Sequence, residues 1–240
     1  MGSCCHASRK SGWRLKQLQV FILLPARIRT DVTLPTFEPE NRAATKYGPL
    51  IAGIDEVGRG PWAGPVIAAA AILHRDFPRE LANQLDDSKR LAVKKREELA
   101  DALIDHAWLG FGAASVNEID TMNVLAASHL AMQRAASNLP VQPDACLVDG
   151  NRLPLFSCPA EALVKGDALS VSIAAASIVA KVLRDRLMAR LAVRYPIYGW
   201  ERNAGYGTQQ HRLGIQQAGL TPHHRRSFKP IKNALSQQDS

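Results

Sequence analysis

Leu50-Ile51-Ala52-Gly53-Ile54-Asp55-Glu56-Val57-Gly58-Arg59-Gly60-Pro61 is a short apolar run that ends in two adjacent acids and a glycine-rich turn. Its length and β-branched members read as a strand. Val66 to Leu73 is a second such run, introduced by Gly64-Pro65, so the two are expected to be neighbouring strands. Carboxylates following a buried run need a compensating partner. Successive strand residues point to opposite faces, so Asp55 and Glu56 reach one centre only if the strand ends there and Gly58-Arg59-Gly60 redirects the chain. Taken alone, the pair reads equally well as an exposed acidic loop beside Arg59.

Leu109 to Val116 is a third strand candidate, and Ala145-Cys146-Leu147-Val148 a fourth that ends at Asp149. Between them, Ser88 is expected to cap a helix through His106, and Asn117 one from Glu118 to Ser137. A further helix is expected from about Val171 to Val193, its run Ile173-Ala174-Ala175-Ala176-Ser177 small enough to lie close on a sheet. Strands first, then alternating helix and strand, imply a mixed α/β layer fold without repeats. After Tyr195-Pro196 the chain becomes rich in Gly, aromatic and basic residues and reads as a lobe. The expected division is residues 1–47 as a disordered or artefactual extension, 48–194 as catalytic core, and 195–240 as a substrate-binding lobe and tail.

The 240 residues carry a formal net charge of +8, which points to an acidic partner. Residues 1–30, however, hold six Lys/Arg and no acid, leaving 24 basic against 22 acidic residues elsewhere, so any basic surface must come from local clustering. That acid-free start fits a transit peptide, a basic arm or an over-extended start. Cys4, Cys5, Cys146 and Cys158 form no C-x-x-C pair of the zinc type and fit a reducing, cytoplasmic setting. The apolar stretch Val20 to Leu24 stops at Pro25, far short of the ~20 residues that span a membrane.

Asp149 repeats the first pattern, an acid after a buried run and before Gly150-Asn151, where open α/β sheets place ligands. Asp167 follows Lys165-Gly166 just ahead of the long helix, where a lone acid also reads as a helix cap. Four oxygen donors without Cys or His suit a hard cation, Mg2+ or Mn2+, rather than zinc. Two such ions can activate a water and stabilise a leaving oxygen, which makes phosphoryl chemistry the natural reading.

Four groups of strings resemble ribonuclease HII: Gly53 to Pro61, Asp87-Ser88-Lys89, Leu147 to Asn151, and Lys165-Gly166-Asp167. The likeness continues through Ala174 to Lys181, Arg184-Asp185, Gly205-Tyr206-Gly207-Thr208 and His223 to Phe228, covering about Pro49 to Lys232. The resemblance implies a ribonuclease H-like fold with a small C-terminal helical lobe. It implies an endonuclease that cuts the RNA of RNA/DNA hybrids and single ribonucleotides in duplex DNA, leaving 5′-phosphate and 3′-hydroxyl ends. It places the metal ligands on Asp55, Glu56, Asp149 and Asp167, and a reader of the ribose 2′-hydroxyl on Gly58, Arg59 and Gly60. Tyr206 is the expected platform for the sugar at the RNA–DNA junction. The resemblance also implies a monomer.

Phosphate contacts are expected from Ser88, Lys89, Lys165, Lys181, Arg225 and Arg226. Lys94-Lys95-Arg96 reads as a solvated helix face, and His211, His223 and His224 as structural or phosphate-facing, since metal ions need no histidine base. Asp185 is expected to pair with Arg184 or another nearby base. The sequence departs from the family in its long N-terminal extension and in Leu91-Ala92, where Leu-Ser is common. Ribonuclease HIII, a junction resolvase of the same superfold and a catalytically silent hybrid-binding protein are the rival readings.

Overall fold

Two runs decide the sheet: Ile51–Val57 (β1) and Val66–Leu73 (β2) pair antiparallel, with Ala52 opposite Ile72 and Glu56 opposite Ala68. The computed structural model describes residues 34–236. Ala107–Ala114 (β3) pairs antiparallel with β2, while Ala145–Asp149 (β4) runs parallel to β1 and Ala160–Leu163 (β5) parallel to β4. The resulting five-stranded order is β3-β2-β1-β4-β5.

Helices cover both faces. In chain order they are α1 (Glu38–Tyr47), α2 (Arg79–Ala82), α3 (Val93–His106), α4 (Val116–Met122), α5 (Val124–Ser137), α6 (Val171–Arg194), α7 (Trp200–Asn203), α8 (Gln209–Ala218) and α9 (Lys229–Ser236). β2 is buried on both faces and alternates its alanines between them. Ala69 and Ala71 pack with α3 and α6, while Ala68 and Ala70 pack with α5. α6 lies close on the sheet: a Cβ on Gly53 of β1 would stand 2.2 Å from the carbonyl carbon of Ser172. Its N-terminus is capped by Ser170, whose hydroxyl accepts from the Ile173 amide at 3.2 Å and donates to Glu40 Oε1 at 2.6 Å.

The mixed sheet flanked by helices is the expected fold; the boundaries need correction. Residues 38–47 form α1, whose Glu40 is buried against Ser170 and the Ser172 amide, so the expected extension ends earlier than residue 47. Residues 1–33 of that extension lie outside the described residues. The described residues form one compact unit, with the lobe seated on the end of α6 through Ala63, Met188, Tyr198, Trp200 and Ile215. Ser88 does not cap α3, which starts after Ala92 without a side-chain cap. The helix expected from Glu118 to Ser137 is two helices. Ser115 and Glu118 form a capping box on α4, and Asn123, at φ 75°, ends α4 and caps α5.

Candidate active site

The four acids arrive by two routes. β1 and β4 pair in parallel register, Ile54 opposite Val148, so the next residues on each strand, Asp55 and Asp149, emerge side by side on the α6 face. Asp167 comes from the one-turn 3-10 helix Gly166–Ala168, which follows β5, and Asp149 Oδ1 accepts from the Gly166 amide at 2.6 Å. Glu56 begins on the α5 face, because β1 does not end at the acids but continues to Val57. Its carboxylate is paired with Arg59 at 3.2 Å.

The electrostatics tie the acids together. Asp55 is 7% exposed, and burial, then Glu56 and Asp149, push its carboxyl well above the ordinary range. Burial also raises Glu56, opposed by Arg59 and reinforced by Asp149. Asp167 is raised by burial, Asp149 and Asp87. Burial tends to lower Lys89, but Asp87, Asp55, Asp167 and Asp149 outweigh it and raise its proton affinity. Mutually destabilised oxygen donors of this kind fit a hard divalent cation in chemistry and charge. Among the described residues no three His, Cys, Asp or Glu side chains already stand as ligands around one point, consistent with Glu56 being held by Arg59.

The turn after β1 is braced from behind. Gly58 has φ 96°, and a Cβ there would meet the Arg184 guanidinium at 2.2 Å. Arg184 donates to the carbonyls of Pro65, Ala63 and Ala204. Arg225, wholly buried, donates to those of Gly58, Arg59 and Gly64. Desolvation lowers Arg184 to about 10 and Arg225 to about 9, which leaves both charged at neutral pH. Tyr206 is half exposed and stands over the turn, its ring 3.2 Å from where a Gly60 Cβ would be.

Two clefts flank the acids. One of about 300 Å³ is lined by Asp55, Glu56, Ser88, Lys89, Lys181 and Tyr206. The other, of about 400 Å³ on the α5 side, is lined by Glu56, Arg59, His129, Asp149, Asn151 and Arg152. Lys165 and Arg226 are exposed and line neither cleft; the Arg226 backbone amide is bonded to Asp120. Several expectations are corrected by burial. Arg225 has its donors on carbonyls and no surface for a phosphate, so it shapes the turn. Ser88 is buried, its hydroxyl 3.0 Å from that of Ser177, though it still lines the first cleft. Arg96 is not solvated: it donates to the carbonyls of Ser88 and Leu91 and pairs with Asp185. Asp185 pairs, as expected, with nearby bases, Lys181 at 2.7 Å and Arg96, of which Lys181 is the closer. His211 and His224 are buried structural residues joined by their Nε2 atoms at 3.1 Å. His129 and Arg152 were missed, although 125, 129 and 132 share one helical face and Arg152 follows Asp149-Gly150-Asn151.

The Ribonuclease HII family model matches residues 52–231. The chain belongs to the ribonuclease HII family. A ribonuclease HII of Ruegeria pomeroyi is 54% identical over 208 residues, covering 86% of this chain and 88% of that one. One of Granulibacter bethesdensis is 54% identical over 201 residues, covering 82% and 92%. Among solved structures, the ribonuclease H2 of Pyrococcus horikoshii superposes with a TM-score of 0.66 at 26% identity, covering 79% of this chain and 99% of that one. A ribonuclease HIII in complex with Mn2+, described as Bst-RNase HIII, has a TM-score of 0.62 at 22% identity, over 83% and 74%, and shares the fold. Membership makes this ribonuclease HII chain an endoribonuclease acting on RNA/DNA hybrids. No described helix is long and apolar enough to cross a membrane.

Proposed function

We propose that this enzyme also cuts duplex DNA at single misincorporated ribonucleotides, through divalent ions, Mg2+ or Mn2+, held by Asp55, Glu56, Asp149 and Asp167. The observation that carries the reading is the adjacency of Asp55 and Asp149 at the ends of parallel strands, with Glu56 and Asp167 near enough that the Asp149 charge, added to burial, raises the proton affinity of each. When bound, such ions supply water activation and charge stabilisation for phosphodiester hydrolysis. The chain's own residues do the selecting. Arg225, bonded to the Gly58 and Arg59 carbonyls, and Arg184, packed against Gly58, hold the turn in the shape that meets the sugar edge, and Tyr206 offers a ring face beside it. A Cβ at Gly60 would press on that ring, so the glycine keeps the two in contact.

Lys89 and Lys181 in the first cleft are placed to meet backbone phosphates, and Lys165, Arg226 and the C-terminal lobe extend the same substrate surface. The products carry 5′-phosphate and 3′-hydroxyl ends, and the enzyme acts as a cytoplasmic monomer. The test is a duplex containing one ribonucleotide, incubated with Mg2+, Mn2+ or chelator beside all-DNA and all-RNA duplexes. Metal-dependent cleavage at the ribonucleotide alone is expected. Equal cleavage of all-DNA duplex, or binding without cleavage, overturns the reading.

A further inference from the structure

The cleft on the α5 side is unlike the first. Glu56 and Asp149 form its wall toward the site, Leu125 and Met132 of α5 its apolar side, and Arg59, His129 and Arg152 converge on it as cations or potential cations. Arg59 already has Glu56. Neither the Arg152 nor the His129 side chain makes a hydrogen bond or ion pair among the described residues, and both lie beside a cleft of about 400 Å³. Desolvation, then the nearby charges of Arg59 and Arg152, hold His129 below its ordinary proton affinity, which places the three groups within electrostatic reach. The Arg152 guanidinium and the His129 ring, each with donors that no acceptor among the described residues takes up, are suited to an anion entering between them.

We propose that Arg152 and His129 form a binding site for a backbone phosphate of the nucleic acid, one adjoining the phosphate that is cut. This rests on the nuclease reading of the four acids. A strand carries one phosphate for each ~3.4 Å of helix rise, so a scissile phosphate at Asp149 sends its neighbour toward either flanking cleft. Lys89 and Lys181 serve the first cleft; Arg152, three residues beyond Asp149 on the same loop, serves the second. Arg152 donates the fork of hydrogen bonds and His129 a single ring N–H, while Asn151 offers an amide. The site positions the strand and takes no part in bond breaking.

The test combines binding and cleavage. Arg152→Ala, Arg152→Lys, His129→Ala and, as a remote control, Lys94→Ala on α3 are titrated in chelator with a ribonucleotide-containing duplex at several salt concentrations. Arg152→Ala is expected to weaken binding about 3- to 10-fold and to reduce the salt slope by about one. Arg152→Lys keeps the slope, and Lys94→Ala matches wild type. In Mg2+ the Arg152→Ala KM rises while kcat stays within about two-fold, as loss of uniform binding requires. Duplexes bearing one uncharged methylphosphonate at each position near the cut then locate the partner: one position weakens wild type but not Arg152→Ala. Inorganic phosphate, added as competitor, raises the wild-type KM without matching that positional effect. An unchanged salt slope and KM, or penalties that add at every methylphosphonate position, overturns the proposal. So does a fall in kcat at constant KM, which would mean that Arg152 acts through Glu56 or Asp149. Failure of wild type to cut at the ribonucleotide sinks the nuclease reading instead, and the binding cycle still decides the cleft.

Discussion

Asp55 shows at the residue scale how the site is held against its own stability. A carboxyl whose proton affinity is raised on folding contributes stability below the ordinary carboxylate range and loses it as pH rises through its folded value. At neutral pH, without a cation, the ionised group therefore opposes folding. Asp55→Asn keeps an acceptor for the Glu56 amide, at 2.7 Å in the parent, and removes the buried charge. In chelator at pH 8 it is expected to melt a few degrees higher than wild type, on a scale of roughly 2–4 °C per kcal/mol, while turnover is lost. The gap closes as the pH is lowered toward 4. A lower melting temperature at pH 8 would mean that burial and repulsion are relieved by something else. Asp149→Asn is expected to abolish cleavage with substrate binding retained, checked by single-turnover cleavage beside anisotropy titration; unchanged turnover removes Asp149 from the site. Asp55, Glu56 and Asp149 were legible because they close short apolar runs, a local pattern, and Asp167 by its place after Lys165-Gly166 at the start of a helix and by the family resemblance. Arg225 and Arg96 were not, because the carbonyls that bury Arg225 lie more than 160 residues away and those around Arg96 belong to an irregular loop.

At the scale of elements, α4 depends on the Ser115–Glu118 capping box, reinforced by Arg134 at 2.7 Å. The Arg134 and Ser115 hydrogen bonds hold Glu118 down at about 2, a depressed carboxyl whose stabilisation is present above its ordinary value and is lost as pH falls from 4.5 toward 2. The pair is partly exposed, so Glu118→Gln is expected to cost only about 1 kcal/mol, mostly through the cap. Urea denaturation at pH 7 and pH 3 checks it, the difference shrinking at the lower pH. Gly53→Ala presses a methyl into the backbone of α6 and is expected to cost about 3 kcal/mol or more, as severe overpacking does. A loss under 1 kcal/mol would show that α6 slides away freely. The strand core was readable from its apolar runs, yet this close approach was not, since Gly53 looks like any other member of the run. β5 escaped notice because Ala160-Glu161-Ala162-Leu163 has little strand propensity and is a strand through its pairing with β4. Likewise Asn123 splits one expected helix by adopting a positive φ that composition does not announce.

Over the whole molecule, the C-terminal lobe is built around a buried aromatic and imidazole cluster that meets the core at Trp62, Ala63 and Met188. Trp200 Nε1 donates to His211 Nε2, and His224 Nδ1 accepts from the Thr221 amide at 2.9 Å. Desolvation, then His211, lowers His224 to about 3, and desolvation also lowers His211. Stability from these neutral rings is present above 6.5 and is lost as pH falls toward 3. Acid is therefore expected to loosen the lobe before it unfolds the sheet, seen as loss of near-ultraviolet aromatic signal with far-ultraviolet signal retained. His224→Gln should flatten that step; coincident loss of both signals would rule it out. The brace supplied by Arg225 has a temporal consequence. A ribosome has made all four acids once residue 167 is joined, but the side chain that shapes the turn comes 58 residues later. On the proposed assignment of the site, nascent chains thus carry the metal-binding acids before the turn proposed to read the ribose is shaped, and sugar selectivity is among the last properties that synthesis confers.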